Sequence, residues 1–436
     1  MNAMSSGLRR QAARLFNVKP EEAGAICAGL VMFFLVFTGY FMLRPVRETM
    51  GIAGGIENLQ WLFTATFVVT LAAMPLFGWL AARVQRRRIL TWSYLFFASN
   101  LLAFAVGFHI APDNLWFART FYVWLSVYNL IAISIAWSIL ADIFRVEQAK
   151  RLFAMMAGGA SLGGLTGPLL ATLLVGPIGH SGLLVLSAAT LPAAIVAAHY
   201  MLHWRDRHPQ PADVAGERSR PLGGSPFAGA ITVLRSPYLL GIAAFVLLLA
   251  TVNTFLYFEQ ARLVSLMFPE RADQTRVFGM LDTIVQTLAI LTQVFITGRI
   301  AQKLGIGVLL ASVPLVIAGG FLWLAASPVF AVLAVVVIVR RAGEYALARP
   351  GREMLYTVVP AEAKYKAKNF IDSVVYRGGD AVSAWAKAFI EMVAQHAAVA
   401  AVIGAIVSLA WGANGLWLAR THRRLAEKEA QAESTR

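Results

Sequence analysis

Residues 340–380, RRAGEYALARPGREMLYTVVPAEAKYKAKNFIDSVVYRGGD, place basic and acidic side chains between two long apolar runs. If those runs lie in or near a bilayer, the ionisable residues between them stand at or near membrane depth. Charges there are costly and usually mark a pathway or a binding site. RPGRE at positions 349–353 repeats RPVRE at positions 44–48, which stands at the end of the first apolar run. Two copies of RPxRE in different helices indicate that the same site element is repeated in the two parts of the chain.

The composition is that of a membrane protein. Of the 436 residues 58% are hydrophobic and 14% are charged, and the mean hydropathy is +0.65. Apolar runs of about 20 residues recur along the chain, and as helices they are long enough to cross a hydrocarbon core of roughly 30 Å. We therefore predict an all-α, polytopic membrane protein.

The net charge of +15 could indicate nucleic-acid binding, but the surplus lies in short loops, as the orientation bias of membrane proteins predicts. We expect the lipid bilayer as a partner and no nucleic acid. The single cysteine, Cys27, lies inside the first apolar run, which excludes an intramolecular disulfide and a thiolate metal site. The histidines near span ends are isolated, so we expect no metal, no cofactor and no enzyme activity.

Twelve membrane spans are predicted from the apolar runs, in two groups of six. The first group comprises residues 23–43, 61–82, 89–110, 116–141, 154–174 and 183–202. The second group comprises residues 238–258, 277–297, 307–326, 330–356, 371–393 and 398–418.

The spans divide the chain into four parts. We predict an N-terminal six-helix bundle (1–202), a cytoplasmic linker (203–237), a C-terminal six-helix bundle (238–420) and a charged cytoplasmic tail (421–436). The linker is polar and rich in Pro, Gly and Arg, a composition that cannot bury enough apolar surface to fold alone. The tail is expected to continue the last helix into solvent.

The orientation follows from the basic residues. An even number of spans puts both termini on one side. Arg83, Arg86, Arg87 and Arg88 follow the second span, whereas two connections on the opposite side, 111–115 and 176–182, contain no Lys or Arg. We expect both termini to be cytoplasmic and the protein to lie in the inner membrane. The first twenty residues lack the features of a signal peptide, so the first helix is expected to anchor uncleaved.

Each RPxRE copy allows two interpretations. Proline has no N–H and disfavours helix at the preceding residue, so Pro45 and Pro350 are expected to break or kink their helices. The first arginine and the glutamate of each copy are spaced i, i+4 and could form a salt bridge that caps a helix end. Alternatively Arg47 and Arg352, the second arginines, jointly clamp a phosphate or carboxylate with their forked donors. The repetition favours the clamp.

The candidate site follows from these charges. Candidate substrate-binding residues are Arg44, Arg47, Arg349, Arg352, Lys368 and Arg377. Candidate coupling or gating residues are Glu48, Glu344, Glu353, Asp372 and Asp380. Polar residues within spans, such as Asn253 and Asp282, are interpreted as interhelical hydrogen bonds. A glycine-rich run in the fifth span is interpreted as a packing surface and not as a phosphate loop: Gly158, Gly159, Gly163, Gly164 and Gly167.

The loop after the second span resembles the signature of a known superfamily. Residues 78–88, GWLAARVQRRR, are similar to the G-x-L-A-D-R-x-G-R-R-x loop of the major facilitator superfamily, with Ala82 for the usual Asp and Gln85 for the usual Gly. The resemblance implies two six-helix bundles that rock around a central site. It also places the first and tenth helices, which carry the RPxRE copies, in symmetry-related positions.

A narrower resemblance is to the ATP/ADP translocases, an outlying branch of that architecture. LRPVRE at 43–48 resembles the family's L-R-x-x-K-D, RPGREMLY at 349–356 its D-P-x-K-E-M-x-Y, and KYKAKNFID at 364–372 its K-x-K-G-K-A-A-I-D. AKRLF at 149–153 is similar to its A-K-R-F-Y. The resemblance implies exchange of ATP for ADP, or of a related phosphorylated solute, and puts Arg47 at a lysine that contributes to nucleotide transport.

Two other functions stay open. A proton-coupled facilitator for a different solute could titrate Glu48, Glu353 or Asp372 during transport. A membrane chaperone or signalling partner could keep the fold without transport. The leading hypothesis is a secondary active transporter, a monomer, that exchanges a small anionic solute such as a nucleotide.

Overall fold

A computed structural model describes residues 22–143, 146–208, 229–394 and 397–434. In these ranges the chain is helical and contains no strand, which confirms the predicted all-α class. Residues 209–228 of the predicted linker and the N-terminal residues 1–21 lie outside the described residues. The predicted tail is described as far as Ser434 and continues the last helix.

The described part of the chain forms twelve long helices, some of them interrupted by a π turn, and we call each of them a rod. The first six are α1 (Ala23–Ala53), α2 (Leu59–Arg83), α3 (Arg86–Ile110), α4 (Leu115–Ile143), α5 (146–178) and α6 (180–207). Helices α5 and α6 form one hydrogen-bonded run, Val146–Arg207, which is broken at Gly179, where φ is 66° and ψ is −177°. Positive φ is a conformation that glycine adopts readily.

The second six rods follow a short helix, Ala230–Leu234. They are α7 (Pro237–Met267), α8 (Arg271–Leu304), α9 (Ile306–Ala326), α10 (330–355), α11 (361–394) and α12 (Ala397–Ser434). Short 3₁₀ turns, Ile56–Asn58 and Tyr356–Val358, precede α2 and follow α10. We call the end of the bundle that contains the α1–α2 and α5–α6 connections the far end, and the opposite end the termini end.

Most of the rods are apolar enough to cross a bilayer. Nine segments of the described chain meet this condition by length and composition, and one of them contains both α5 and α6. Helices α10 and α11 are not among the nine, because they carry too many charged residues. Charged helices can cross a bilayer if their charges face the protein interior.

Helix α1 corrects the predicted end of the first span. The apolar run stops at Leu43, but the helix continues through Pro45 to Ala53 without a break. Arg44, Arg47 and Glu48 therefore lie within the helix and not at its end. Of the break or kink expected at Pro45, the break is wrong, because the helix is continuous there. The apolar run ends where the first charged residue, Arg44, begins, whereas the helical hydrogen bonds of α1 continue beyond that residue.

Helix α10 passes Pro350 after a π turn, Glu344–Ala348, and a second π turn, Gln293–Thr297, lies in α8. A π turn widens the helix and often marks a functional region. Gln293 Nε2 donates to the Tyr345 carbonyl oxygen over 2.9 Å, and Thr297 Oγ1 donates to the Ala346 carbonyl oxygen over 2.7 Å. Side chains of the α8 π turn thus bind backbone oxygens of the α10 π turn and join the two helices there.

The glycine-rich run of α5 is a packing surface, as predicted, and the structure packs it against α1. Gly159, Gly163 and Gly167 are spaced by four residues and contact the α1 backbone. A Cβ added at Gly163 would stand 2.6 Å from the carbonyl oxygen of Phe34, and one at Gly159 would overlap the carbonyl of Leu30. Small residues at this spacing let two membrane helices approach closely.

Each half has its own hydrophobic core. One core is formed by buried residues between Ala25 and Leu202, and the other by buried residues between Val233 and Leu418. A third cluster joins the halves at the far end and consists of Leu59, Leu62, Tyr122, Phe258, Ala261 and Ala384. The predicted boundaries at 202 and 238 stay a prediction. Large apolar side chains such as Trp92, Val196 and Val294 are exposed on the outside of the bundle, where lipid would cover them.

Candidate functional site

Three helices bring one carboxylate and two guanidinium groups together between the halves. Asp282 of α8 lies 2.5 Å from Arg341 Nη1 of α10 and 3.7 Å from Arg44 Nε of α1. The side chains of Asp282 and Arg341 are only 5% and 8% exposed. All three residues lie about 14 to 17 Å from the far ends of their helices, given a rise of roughly 1.5 Å per residue. This depth is well inside the bundle.

A second pair lies beside them on α10. Arg340 Nη1 donates to Glu344 Oε2 over 2.7 Å, and the Arg340 side chain is 5% exposed. We call Arg44, Asp282, Arg340, Arg341 and Glu344 the central cluster. It holds three basic and two acidic side chains, and so has a surplus of one positive charge.

The guanidinium groups of the central cluster have hydrogen-bond donors to spare. Within the described part of the chain, Arg340 Nε and Arg341 Nε and Nη2 are buried and make no hydrogen bond. Asp282 Oδ2 is also buried without a hydrogen bond, since Arg44 stands too far away. Buried polar groups are normally satisfied. These donors are therefore free to bind a ligand that accepts hydrogen bonds, and an anionic group would form the stronger, charge-assisted bonds.

A cavity of about 40 Å³ lies at this cluster. Its lining comes from α1, α7, α8 and α10 and includes Arg44, Glu48, Asn253, Tyr257, Asp282 and Arg341. The cavity has room for a few water molecules, whereas pockets for organic ligands usually measure roughly 300 to 1,000 Å³. A metabolite can bind here only if the halves move apart.

Arg47 lies beside the central cluster but makes different contacts. Its Nη1 is 3.2 Å from Glu48 Oε1, its Nε donates to the Tyr122 carbonyl oxygen over 3.2 Å, and its guanidinium carbon stands 3.8 Å above the Tyr122 ring. Arg47 is thus held against α4 by a hydrogen bond, an ion pair and a cation–π contact. Nearby on α11, Asp380 lies 3.7 Å from Arg377 and accepts a hydrogen bond from Thr254.

A second group of charges lies toward the termini end. Arg352 Nη2 is 3.3 Å from Asp372 Oδ1, and Lys368 Nζ donates to Glu353 Oε2 over 2.5 Å. We call Arg352, Glu353, Lys368 and Asp372 the lower cluster. It lies between α10 and α11, about 16 Å along α10 from Arg341. Arg349, one turn away, is exposed.

The predicted residues thus fall into separate groups. The structure does not bring Arg47 and Arg352 together, because they lie at different depths in α1 and α10. The i, i+4 pairs are also replaced: Arg44 faces Asp282 rather than Glu48, and Glu353 binds Lys368 rather than Arg349.

Sequence reasoning missed several charges that the structure places in the interior. Asp282 was interpreted as an interhelical hydrogen bond and Arg341 was expected at or near membrane depth, but neither of them nor Arg340 was among the candidate site residues. Lys387 of α11 is also buried, with its side chain 3% exposed, and pairs with Glu391 over 2.5 Å. In each case a signal was available, since a charge within an apolar run has to face the protein interior.

Polar contacts join the halves at the far end. Thr49 Oγ1 of α1 lies 2.7 Å from Thr275 Oγ1 of α8, and Thr275 Oγ1 in turn lies 2.9 Å from Nε2 of His180, the first residue of α6. Arg271 forms a 3.0 Å ion pair with Asp113 across the halves. Trp385 Nε1 of α11 also donates to Thr64 of α2 over 3.0 Å. These contacts close the far end above the central cluster.

Three comparisons with known proteins bear on this architecture. Residues 25–343 match the family model described as Major Facilitator Superfamily. Comparison with curated protein sequences gave no match.

Solved structures of transporters share the fold. A bacterial homologue of the human lysosomal transporter Spinster, inward-facing and unoccupied, has a TM-score of 0.62 and 13% identity, covering 93% of this chain and 98% of that one. A bacterial homologue of the iron transporter ferroportin, in an inward-facing state, has a TM-score of 0.62 and 12% identity, covering 90% and 98%. A POT family transporter in complex with 5-aminolevulinic acid has a TM-score of 0.62 and 11% identity, covering 90% and 96%.

The family match extends over well more than half of the chain. The chain therefore belongs to the Major Facilitator Superfamily.

Proposed function

We propose that the protein is a secondary active transporter that exchanges an anionic, phosphorylated solute of the nucleotide type by alternating access. The observation that carries the proposal is the central cluster, in which Arg340 and Arg341 are buried and keep unpartnered donors. Guanidinium groups match the geometry of phosphate oxygens and bind them by charge-assisted hydrogen bonds. A positive surplus at the seam between two mobile halves favours an anion as the transported solute.

The nucleotide as substrate is supported by sequence alone. The blocks at 43–48, 349–356 and 364–372 resemble those of the ATP/ADP translocases, and the solved structures above share the fold at identities too low to inform the substrate. In this proposal Arg44, Arg340 and Arg341 bind the phosphate groups. Arg349, Arg352 and Lys368 attract the anion along its path from the termini end.

Alternating access is supported by the position of the contacts between the halves. The Thr49–Thr275 contact and the Arg271–Asp113 pair close the far end, and the cavity at the central cluster is too small for a nucleotide. Opening the termini end would expose the lower cluster first. We propose that both termini face the cytoplasm of the inner membrane and that the protein acts as a monomer, so the far end, which these contacts close, faces the periplasm.

A proton-coupled facilitator is the second candidate. It is favoured by Asp380, whose side chain is 8% exposed and whose ion pair with Arg377 is loose, at 3.7 Å. A buried carboxyl group with weak pairing can take up a proton during transport. Asp372 and Glu48 are the other candidates for this role.

Counter-flow in proteoliposomes separates the two functions. Vesicles that contain the purified protein and unlabelled ADP should take up labelled ADP without a pH gradient, because exchange needs solute on the far side of the membrane. Uptake that requires a pH gradient and not internal ADP would favour the proton-coupled function. Vesicles without any uptake of ADP, ATP or inorganic phosphate would reject the proposed anion exchange.

A further inference from the structure

We propose that Asp282 is an internal anion: when no substrate is bound, its carboxylate takes the position between Arg44 and Arg341 that an anionic group of the substrate occupies during transport. The inference rests on the proposed function, since it names a residue that competes with the substrate at the same site.

The contacts of Asp282 are those of a ligand that can be displaced. One carboxylate oxygen binds Arg341 at 2.5 Å, while the other faces Arg44 at 3.7 Å and makes no hydrogen bond. Arg341 keeps two donor atoms that Asp282 does not satisfy. A buried ion pair that serves stability alone is expected to satisfy the atoms of both partners. Here the guanidinium groups offer more donors than one carboxylate can use.

The position of Asp282 also links anion binding to the contact between the two halves. Arg44 belongs to α1 in the first half, whereas Asp282 and Arg341 belong to the second. The tight contact of Asp282 is thus within its own half, and the loose contact crosses between halves. An incoming phosphate that binds Arg44 and Arg341 would replace the loose contact by a tight one and draw the halves together around the substrate.

Charge balance gives a reason for the internal anion. A buried positive charge without a counter-charge is strongly unfavourable. The central cluster would hold three basic side chains and only Glu344 if Asp282 were neutral. Asp282 therefore lowers the cost of keeping the arginines in the interior until an anion arrives. Because it occupies their donors, it also weakens the binding of that anion.

The direct test is the affinity of Asp282→Asn for anions. The purified full-length protein is titrated with ADP and with inorganic pyrophosphate, and the dissociation constant is measured from equilibrium binding and from the ligand-dependent rise in Tm. Removal of the competing charge should tighten binding of both probes by roughly tenfold. Asp206→Asn is the matched control, because it makes the same charge change at an exposed pair with Arg205, and its affinity should equal that of the unchanged protein.

Asp282→Glu serves as the second variant, since it keeps the charge if Asp282→Asn does not fold. The longer side chain closes the gap to Arg44, so it should compete better and weaken binding of the probes by roughly threefold. Equal or weaker binding by folded Asp282→Asn, or equal or tighter binding by Asp282→Glu, would overturn the internal anion and leave the proposed function standing. If neither the unchanged protein nor any variant binds either probe, the proposed function itself fails.

Discussion

At the scale of single residues, Arg341 is the guanidinium group on which anion binding should depend most. It is buried, contacts Asp282 and keeps two free donor atoms. Arg341→Ala should weaken ADP binding by roughly tenfold to a hundredfold, the effect of losing a hydrogen bond to a charged group. Arg341→Lys should restore binding only in part, because an ammonium group lacks the fork.

Equilibrium binding of ADP to purified protein measures this effect. Arg205→Ala is the control, because Arg205 is paired with Asp206 at an exposed position and should not affect binding. An unchanged dissociation constant in folded Arg341→Ala would contradict the proposed role of the central cluster.

The sequence predicted part of the site at this scale. The first RPxRE copy identified Arg44, which lies in the central cluster, and Arg47, which binds Tyr122 and Glu48 instead. Asp282 could not be assigned as the partner of Arg44. The i, i+4 rule relates charges on one helix, whereas these two residues lie on helices from different halves, and sequence spacing does not give their relative depth.

At the scale of helices, the contact between α1 and α5 depends on glycine. A Cβ at Gly163 would stand 2.6 Å from the Phe34 carbonyl oxygen, whereas one at Gly158, on the same helix, would have no neighbour within 4 Å. Gly163→Ala should therefore destabilise the protein, by about 1 to 3 kcal/mol as for other overpacked sites. Gly158→Ala should leave stability unchanged or raise it slightly, because alanine favours helix.

Thermal unfolding in detergent compares the two variants. Gly163→Ala should have a lower Tm than Gly158→Ala. Equal Tm values would show that α1 and α5 are not in backbone contact at Gly163.

The connection between α5 and α6 predicts a response to pH. His180, the first residue of α6, lies outside the predicted span 183–202 and contacts Thr275 at 2.9 Å. Burial, then the charge of Arg271, lower the pKa of His180 to about 4 from its ordinary 6.5. Asp113, which pairs with Arg271, is the acidic group nearby. If opening of the far end exposes His180, the open state regains the ordinary pKa and binds the proton more tightly. The closed far end is then fully favoured above about pH 6.5 and loses stability as pH falls toward 4.

Maleimide labelling of a buried cysteine measures this opening of the far end. Ala384 is fully buried in the cluster that joins the halves, so Ala384→Cys in a Cys27→Ser background should react faster with a maleimide as pH falls below 6.5, relative to a free thiol at the same pH. His180→Gln should abolish the dependence. The same pH profile in both proteins would exclude His180 as its source.

The number of helices could be predicted from the sequence, but the end of α1 and the π turns within helices could not. Each of the twelve predicted spans falls on one of the described helices, and ten of these helices are apolar enough for a crossing of about 20 residues. The first predicted span ends at Leu43, ten residues before α1 ends. Hydropathy falls at the charged residues of α1, although the helix continues through them and places them inside the protein. The π turns in α8, α10 and α11 depend on packing between helices and leave no signal in periodicity.

At the scale of the whole molecule, the two halves are joined at the far end and share a charged seam at mid-depth. Thr49 and Thr275 lie at the far end, and Arg44 and Asp282 lie beneath them. Each contact links α1 of one half to α8 of the other. A rocking motion that opens the far end must separate both pairs, so transport and far-end closure should be coupled.

The measurement that tests this account most directly is ADP counter-flow by a chain whose far end can be locked. Thr49→Cys and Thr275→Cys, in a Cys27→Ser background, place two thiols where hydroxyl oxygens now lie 2.7 Å apart, close to the roughly 2.05 Å of a disulfide bond. The account predicts that the reduced protein exchanges ADP, that oxidation stops exchange by holding the far end closed, and that reduction restores it. Exchange that continues in fully cross-linked protein, or a reduced protein that exchanges no ADP, would contradict the account.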